Sequence, residues 1–275
     1  MPRRMSTVSG REFGAGVQAA LKRTGLSNRK ISEQLGWDPA KLSDLVNGKG
    51  GCSSEDLAVL LGFCQVPAAE RQHLMELFTE SRDKGWLQIT DSGAAEQVRT
   101  LIEQERLATG IKVWALNLVP GLLQIPEYTR AVVQRSTVAP KDTEQLVAAR
   151  VARRVIFHPT REFTFYIHEQ ALRLPVGGPD VMSAQLHDLL QMRVRPYVTI
   201  RIVPTSFGAH AGLAGSFIQL SYEKYEPVVF VESQNAGLFL EDKGTLAIYT
   251  EVLESLDRTA MDEEQSRRLI TDILS

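Results

Sequence analysis

Gly25–Gly62 reads GLSNRKISEQLGWDPAKLSDLVNGKGGCSSEDLAVLLG, and its punctuation divides it into three short helices. Ser27 is a helix N-cap, because its hydroxyl can accept from the free N–H groups of a first turn. Ile31 and Leu35 follow four residues apart, on one helical face. Gly36 occupies the position after the helix, where a left-handed backbone carries no Cβ penalty. Asp38 caps a second helix and Pro39 fills its first position, where a missing N–H is no loss. Leu42, Leu45 and Val46 form the inner face of that helix, and Asn47-Gly48 stops it. Ser53 or Ser54 caps a third helix, with Glu55 and Asp56 suited to its positive end and Leu57, Leu60 and Leu61 turned inward.

Two short helices joined by a tight glycine-containing turn are the sequence form of a helix-turn-helix. In that motif the second helix enters the major groove of DNA while its neighbour braces on the backbone. The second helix here is expected to expose Ala40, Lys41, Ser43, Asp44 and Asn47. Ser27, Asn28 and Arg29, at the start of the first, are placed to meet phosphates. Lys49, just past the second, is a further phosphate contact.

The same residues carry a resemblance. Gly25-Leu26-Ser27, Ile31 to Leu35-Gly36, and the run from Leu42 to Lys49 resemble the Xre (lambda-repressor-like) helix-turn-helix family. Three positions depart from its habit. Asp44 stands where a basic or polar residue is usual, Val46 where Glu is usual, and Asn28 where Gln is usual. An acidic side chain in a groove is repelled by phosphate unless it accepts from cytosine N4.

The 275 residues suffice for two domains, and 43% hydrophobic with 23% charged is a globular composition. No apolar run approaches the roughly 18 residues of a membrane span. MPRRMSTVSGRE has basic residues with no apolar core behind them, unlike a secretory signal. Cys52 and Cys64 are too few for a disulfide framework and lack metal-site spacing, so a cytoplasmic protein without metal or cofactor is expected. Cys64 reads as a buried hydrophobe, and Cys52 as an inert thiol or a redox switch. The formal net charge is −2, which excludes a general nucleic-acid coat. Residues 1–85 hold 12 Lys/Arg against 10 Asp/Glu, while the remainder holds 19 against 23. The sign suits an N-terminal DNA reader.

The chain is thus expected to comprise a flexible N-terminus over 1–10, a mainly α helix-turn-helix bundle over 11–85, a connector helix over 86–110 and an α+β domain over 111–275. Phe13, Val17, Ala20 and Leu21 mark the bundle's first helix, and Ala68–Lys84 its fifth. Gly85-Trp86 and Asp91-Ser92-Gly93 read as boundary turns. Beyond them strands are expected at Ile111–Leu116, Phe163–His168, Tyr197–Val203, Gly215–Tyr222, Val228–Glu232 and Leu238–Leu240. Helices are expected at Glu127–Gln134, Asp142–Phe157, Pro179–Met192 and Lys243–Arg258, with a capping box at Asp262 and Gln265 opening a last one. Such a mixture is an α+β pattern.

The second domain also carries a resemblance. VPGLLQIPEYTRA (119–131), the Arg150, Arg153, Arg154 helix, LRLPVGGPDVMSAQL (172–186), SFGAHAGLAGSF (206–217) and VVFVES (228–233) resemble actinobacterial Xre regulators of the WhiJ type, with a C-terminal antitoxin-like domain of unknown function. The resemblance implies a DNA-binding transcriptional regulator with a small partner protein encoded nearby. It supplies no ligand and no catalytic residue. A homodimer on double-stranded DNA is expected, since one small domain makes few base contacts.

No enzyme is expected. Gly208–Gly215 is Gly-rich around His210 but fits neither phosphate-loop nor dinucleotide spacing, and reads as a flexible loop. His168-Glu169 lacks the second histidine of a metalloprotease motif and reads as a surface pair. His73, His158 and His187 show no ligand spacing. Trp86, Trp114 and Tyr128 with Leu122-Leu123 make either core or a ligand pocket. The three arginines either meet an acidic partner or pair within the domain. The alternative function is a protein-interaction, antitoxin-like module whose DNA binding is weak or lost, favoured by Asp44, Val46 and the near-neutral bundle.

Overall fold

The computed structural model describes residues 6–80, 85–89, 95–135, 143–233 and 236–275. The chain divides into two compact units, Met1–Trp86 and Leu87–Ser275.

The first unit is helical: α1 (Val8–Arg23), α2 (Asn28–Leu35), α3 (Pro39–Val46), α4 (Ser54–Phe63) and α5 (Ala68–Glu80). Its caps are local chemistry. Ser27 Oγ accepts from Lys30 N, Asp38 accepts from Ala40 N, and Ser53 forms a reciprocal capping box with Asp56. Gly36 leaves α2 in the left-handed conformation, at φ 66°. Phe13, Val17, Ile31, Leu42, Leu45, Leu57, Leu60, Leu61, Leu74 and Phe78 fill the core. Part of the segment expected as a flexible tail over 1–10 is helical where it is described. Val8, Ser9 and Gly10 are buried within α1, which Thr7 caps.

The reason is close backbone packing between α1 and the exit of α3. Gly48 has φ +65°, and a Cβ there would collide with the Gly10 carbonyl. A Cβ at Gly14 would lie 2.5 Å from the Val46 carbonyl oxygen. Bare α-carbons therefore let α1 seat directly on the α3 terminus.

The second unit is built on a seven-stranded sheet of order β1-β7-β6-β5-β2-β3-β4. The strands are β1 (Trp86–Ile89), β2 (Gly110–Ala115), β3 (Glu162–His168), β4 (Val198–Val203), β5 (Phe217–Ser221), β6 (Val228–Glu232) and β7 (Ala236–Leu240). β2, β3 and β4 run parallel, joined by helical crossovers, while β2–β5, β5–β6 and β6–β7 are antiparallel. The helices are α6 (Ala95–Leu107), α7 (Pro126–Gln134), α8 (Thr143–Ala152), α9 (Glu169–Arg173), α10 (Pro179–Met192), α11 (Lys243–Thr259) and α12 (Glu263–Leu274). Residues 86–110, expected as a connector helix, thus hold a strand as well as α6. The turn expected at Asp91-Ser92-Gly93 lies outside the described residues.

On one sheet face Trp114, Tyr166, Val203, Phe217 and Val229 pack with Leu246, Leu253 and Leu256 of α11. Val113, Phe165 and Ile200 stand in register on the other face, all buried. The β4 edge is covered at Ile202: Met261 N donates to Ile202 O, and Ile202 N donates to Ser266 Oγ. The expected Asp262–Gln265 capping box is present at the start of α12.

Two of the recognised phrases are halves of one buried network. Gln185 accepts from Ile125 N and donates to Leu123 O. Gln124 donates to Val119 O and accepts from Thr129, and Tyr128 Oη accepts from Val119 N. These bonds satisfy the backbone of a turn that is itself buried. Tyr128, Trp114, Leu122 and Leu123 are accordingly core residues.

Candidate nucleic-acid interface

α2 and α3 both carry exposed side chains. Ser27, Asn28, Arg29 and Lys30 are exposed at the start of α2, and Ala40, Ser43, Asp44 and Asn47 along α3. Lys49 follows, also exposed, with its backbone N–H donating to Asp44 O at 2.9 Å. The turn between the helices is closed by Trp37 N donating to Ser32 O.

The side chains differ in how free they are. Arg29 Nε pairs with Glu33 at 3.0 Å, but the arginine is 86% exposed. Such a surface pair is weak and easily exchanged for a phosphate. Asn47 donates Nδ2 to Ser43 O at 2.7 Å, leaving its amide oxygen to accept. Among the described residues Lys30 and Lys49 form no ion pair.

Lys41 departs from the expected exposed position. It is only 25% exposed, its Nζ lies 2.6 Å from Asp56 Oδ2, and it sits 4.2 Å over the Trp37 ring. The hydrogen bond from Lys41, aided by the Ser53 N–H, holds the Asp56 carboxyl below the usual range. Asp56 therefore does two tasks, capping α4 and fixing α3 to it. Trp37 and Asp56 were not singled out from the sequence as partners of this surface. The acidic start of α4 was visible, but its approach to α3 was not.

His168, Glu169 and His210, also considered for chemistry, make local structural contacts. His168 caps α9 by accepting from Gln170 N, and Glu169 accepts from Thr205 N and Arg173. Gly208–Gly215, expected as a flexible loop, includes a 3-10 turn over Ala211–Ala214. There Trp114 Nε1 donates to Gly212 O at 2.7 Å, and His210 lies edge-on to Trp114 and stacked near His168. Among the described residues no group of three or more His, Cys, Asp or Glu could hold a metal. No described helix is long and apolar enough to cross a membrane. Neither Cys52 nor Cys64 is in a disulfide, and burial raises the Cys64 pKa.

Residues 98–272 match a family described as a domain of unknown function, DUF5753. The chain belongs to the DUF5753 family. Residues 12–74 of this DUF5753 protein match a helix-turn-helix domain, the region that contains α2 and α3. No curated protein and no solved structure matches the chain significantly. The helix-turn-helix match covers α2 and α3 and implies a DNA-binding regulator.

Proposed function

We propose that this DUF5753 protein is a sequence-specific transcriptional regulator of the Xre type, resembling the actinobacterial WhiJ-type proteins. It binds double-stranded DNA as a homodimer, with half-sites about 34 Å or a multiple apart. The observation that carries the reading is the exposed α3 face of Ala40, Ser43, Asp44 and Asn47, flanked by the exposed cations Arg29, Lys30 and Lys49. In this reading Ser27, Asn28, Arg29 and Lys49 contact phosphates, Lys41 holds α3 in position, and Ser43, Asp44 and Asn47 read bases. The C-terminal domain couples a signal, a small partner protein encoded nearby or a ligand, to DNA affinity. The reading invokes no catalysis, cofactor or metal, and a cytoplasmic setting.

A second reading is favoured by the pairing of Lys41 with Asp56, which lowers the charge available for phosphate. In it the bundle is an antitoxin-like interaction module with weak DNA binding. Selection of bound fragments from a genomic pool by the native chain and by Asn47→Ala separates the two. The regulator reading predicts one enriched motif whose preference relaxes at one position in Asn47→Ala, by about 1–3 kcal/mol of discrimination. An interaction module enriches no motif.

A further inference from the structure

The three arginines at and just past the end of α8 have different fates. Arg153 donates Nε and Nη2 to the two Glu105 oxygens, at 2.9 and 2.5 Å, with both side chains buried. Arg154 reaches both Asp188 oxygens through Nη2, at 3.1 and 3.0 Å. Arg150 finds nothing comparable. Its side chain is 16% exposed, its Nε is buried without a hydrogen-bond partner, and its nearest carboxylate, Glu232, stands 3.9 Å from Nη2 and is 54% exposed.

A guanidinium remains charged in proteins and offers five N–H donors in a rigid fork. Leaving such a group largely out of water without acceptors is costly, and folded proteins avoid it. If the site served packing alone, an aliphatic side chain of similar length would fill it at less cost. The surroundings make the excess sharper. Glu105 is already committed to Arg153, whose charge also acts on Arg150. Among the described residues the solvent-facing Glu232 is the one carboxylate within ion-pair distance of Arg150.

We propose that Arg150 anchors a binding site for a small oxyanion, a phosphate or carboxylate group, which displaces Glu232 and is taken bidentately by the guanidinium fork. The match of fork to oxyanion is the geometry for which arginine is suited over lysine. The site lies within the DUF5753 region and is independent of DNA binding.

The test uses the full chain at constant ionic strength, with chloride exchanged for inorganic phosphate in one series and for acetate in another. Two readouts are followed, the unfolding midpoint and the Arg150 Nε–Hε resonance. The site predicts a saturable rise in the midpoint, with the resonance moving over the same concentrations. Arg150→Lys weakens the response by about tenfold or more, and Glu232→Gln strengthens it by removing the competing carboxylate. A response to phosphate alone or to acetate alone assigns the oxyanion class. The proposal is overturned if neither anion gives a saturable response, or if Arg150→Lys responds like the native chain. Should Arg150→Lys fail to fold, the native resonance and Glu232→Gln decide, and an unmoved resonance overturns it.

Discussion

Three glycine-to-alanine substitutions separate backbone conformation from close approach in the first unit. Gly36 has φ +66° and open space around its α-carbon, so Gly36→Ala carries only the left-handed penalty, about 1–2 kcal/mol. Gly48 has φ +65°, and its added Cβ would meet the backbone of Gly10 as well as Ser6 Oγ at 2.7 Å. Backbone cannot swing aside as a side chain can, so α1 and the α3 exit must separate by about 1.5 Å to restore ordinary contact. Overpacking of that kind costs about 1–3 kcal/mol, bringing Gly48→Ala to about 2–5 kcal/mol in all. Gly14→Ala isolates contact alone, since its Cβ would lie 2.5 Å from Val46 O and 2.9 Å from Gly48 N. There the overpacking is offset by about 1 kcal/mol of helix propensity, leaving a net cost of up to about 2 kcal/mol. The assay is amide hydrogen exchange on peptides from α1 and α3 across a urea series, with β2 and β3 peptides as internal reference. Gly48→Ala is expected to exceed Gly36→Ala by at least about 1 kcal/mol, in both helices together. Equal losses in the two variants would refute the claim that close backbone approach fixes α3.

Other perturbations reach the remaining claims. Glu105→Gln leaves the buried Arg153 guanidinium facing a neutral amide and should cost about 3–5 kcal/mol, read as urea unfolding of the second unit; a loss below about 1 kcal/mol would show the pair to be solvated. Burial holds His168 and His210 below the ordinary histidine range, and His168 adds repulsion at His210. The unfolded chain therefore takes up protons at higher pH than the folded one, so stability present above about pH 6.5 is lost as pH falls through the folded pKa values. Calorimetry should show the midpoint falling from pH 7 to 5, with a shallower fall in the His168→Gln, His210→Asn double variant; parallel profiles would remove the pair from the account. Asp56→Asn keeps an acceptor for the Ser53 N–H but frees Lys41, and should steepen the salt dependence of DNA affinity by about 0.9 in log–log slope if Lys41 then meets one phosphate. An unchanged slope would place Lys41 away from the backbone of DNA.

What the sequence made legible was local. The caps at Ser27, Asp38, Ser53 and Asp262 and the stop at Gly36 depend on neighbours within a turn, and each stands where its chemistry put it. The parallel strands of the second unit showed themselves as apolar or alternating runs. Trp86–Ile89 did not, because it inverts the usual alternation. Leu87 is 53% exposed, while Gln88 is buried and donates to Thr100. Gly10 looked like part of a polar tail because its value lies in a contact with Gly48, far along the chain. Likewise Lys41 read as exposed until α4 brought Asp56 to it. The arginine triad could not be divided in advance, since Glu105 and Asp188 come from α6 and α10. Of the surface proposed to meet DNA, the exposed α3 residues were legible from periodicity, whereas the ties on Lys41, Arg29 and Asn47 were not.

The central claim is sequence-selective DNA binding, and a competition experiment tests it most directly. The full chain is offered a fragment from upstream of its own gene against excess random DNA, at about 50 and 200 mM salt, beside a genome-wide selection of bound fragments. Selective binding should fall by about 10³–10⁵ between the two salts if some 6–10 phosphates are contacted by a dimer. A chain that selects no sequence from the whole pool, even at the lower salt, would contradict it.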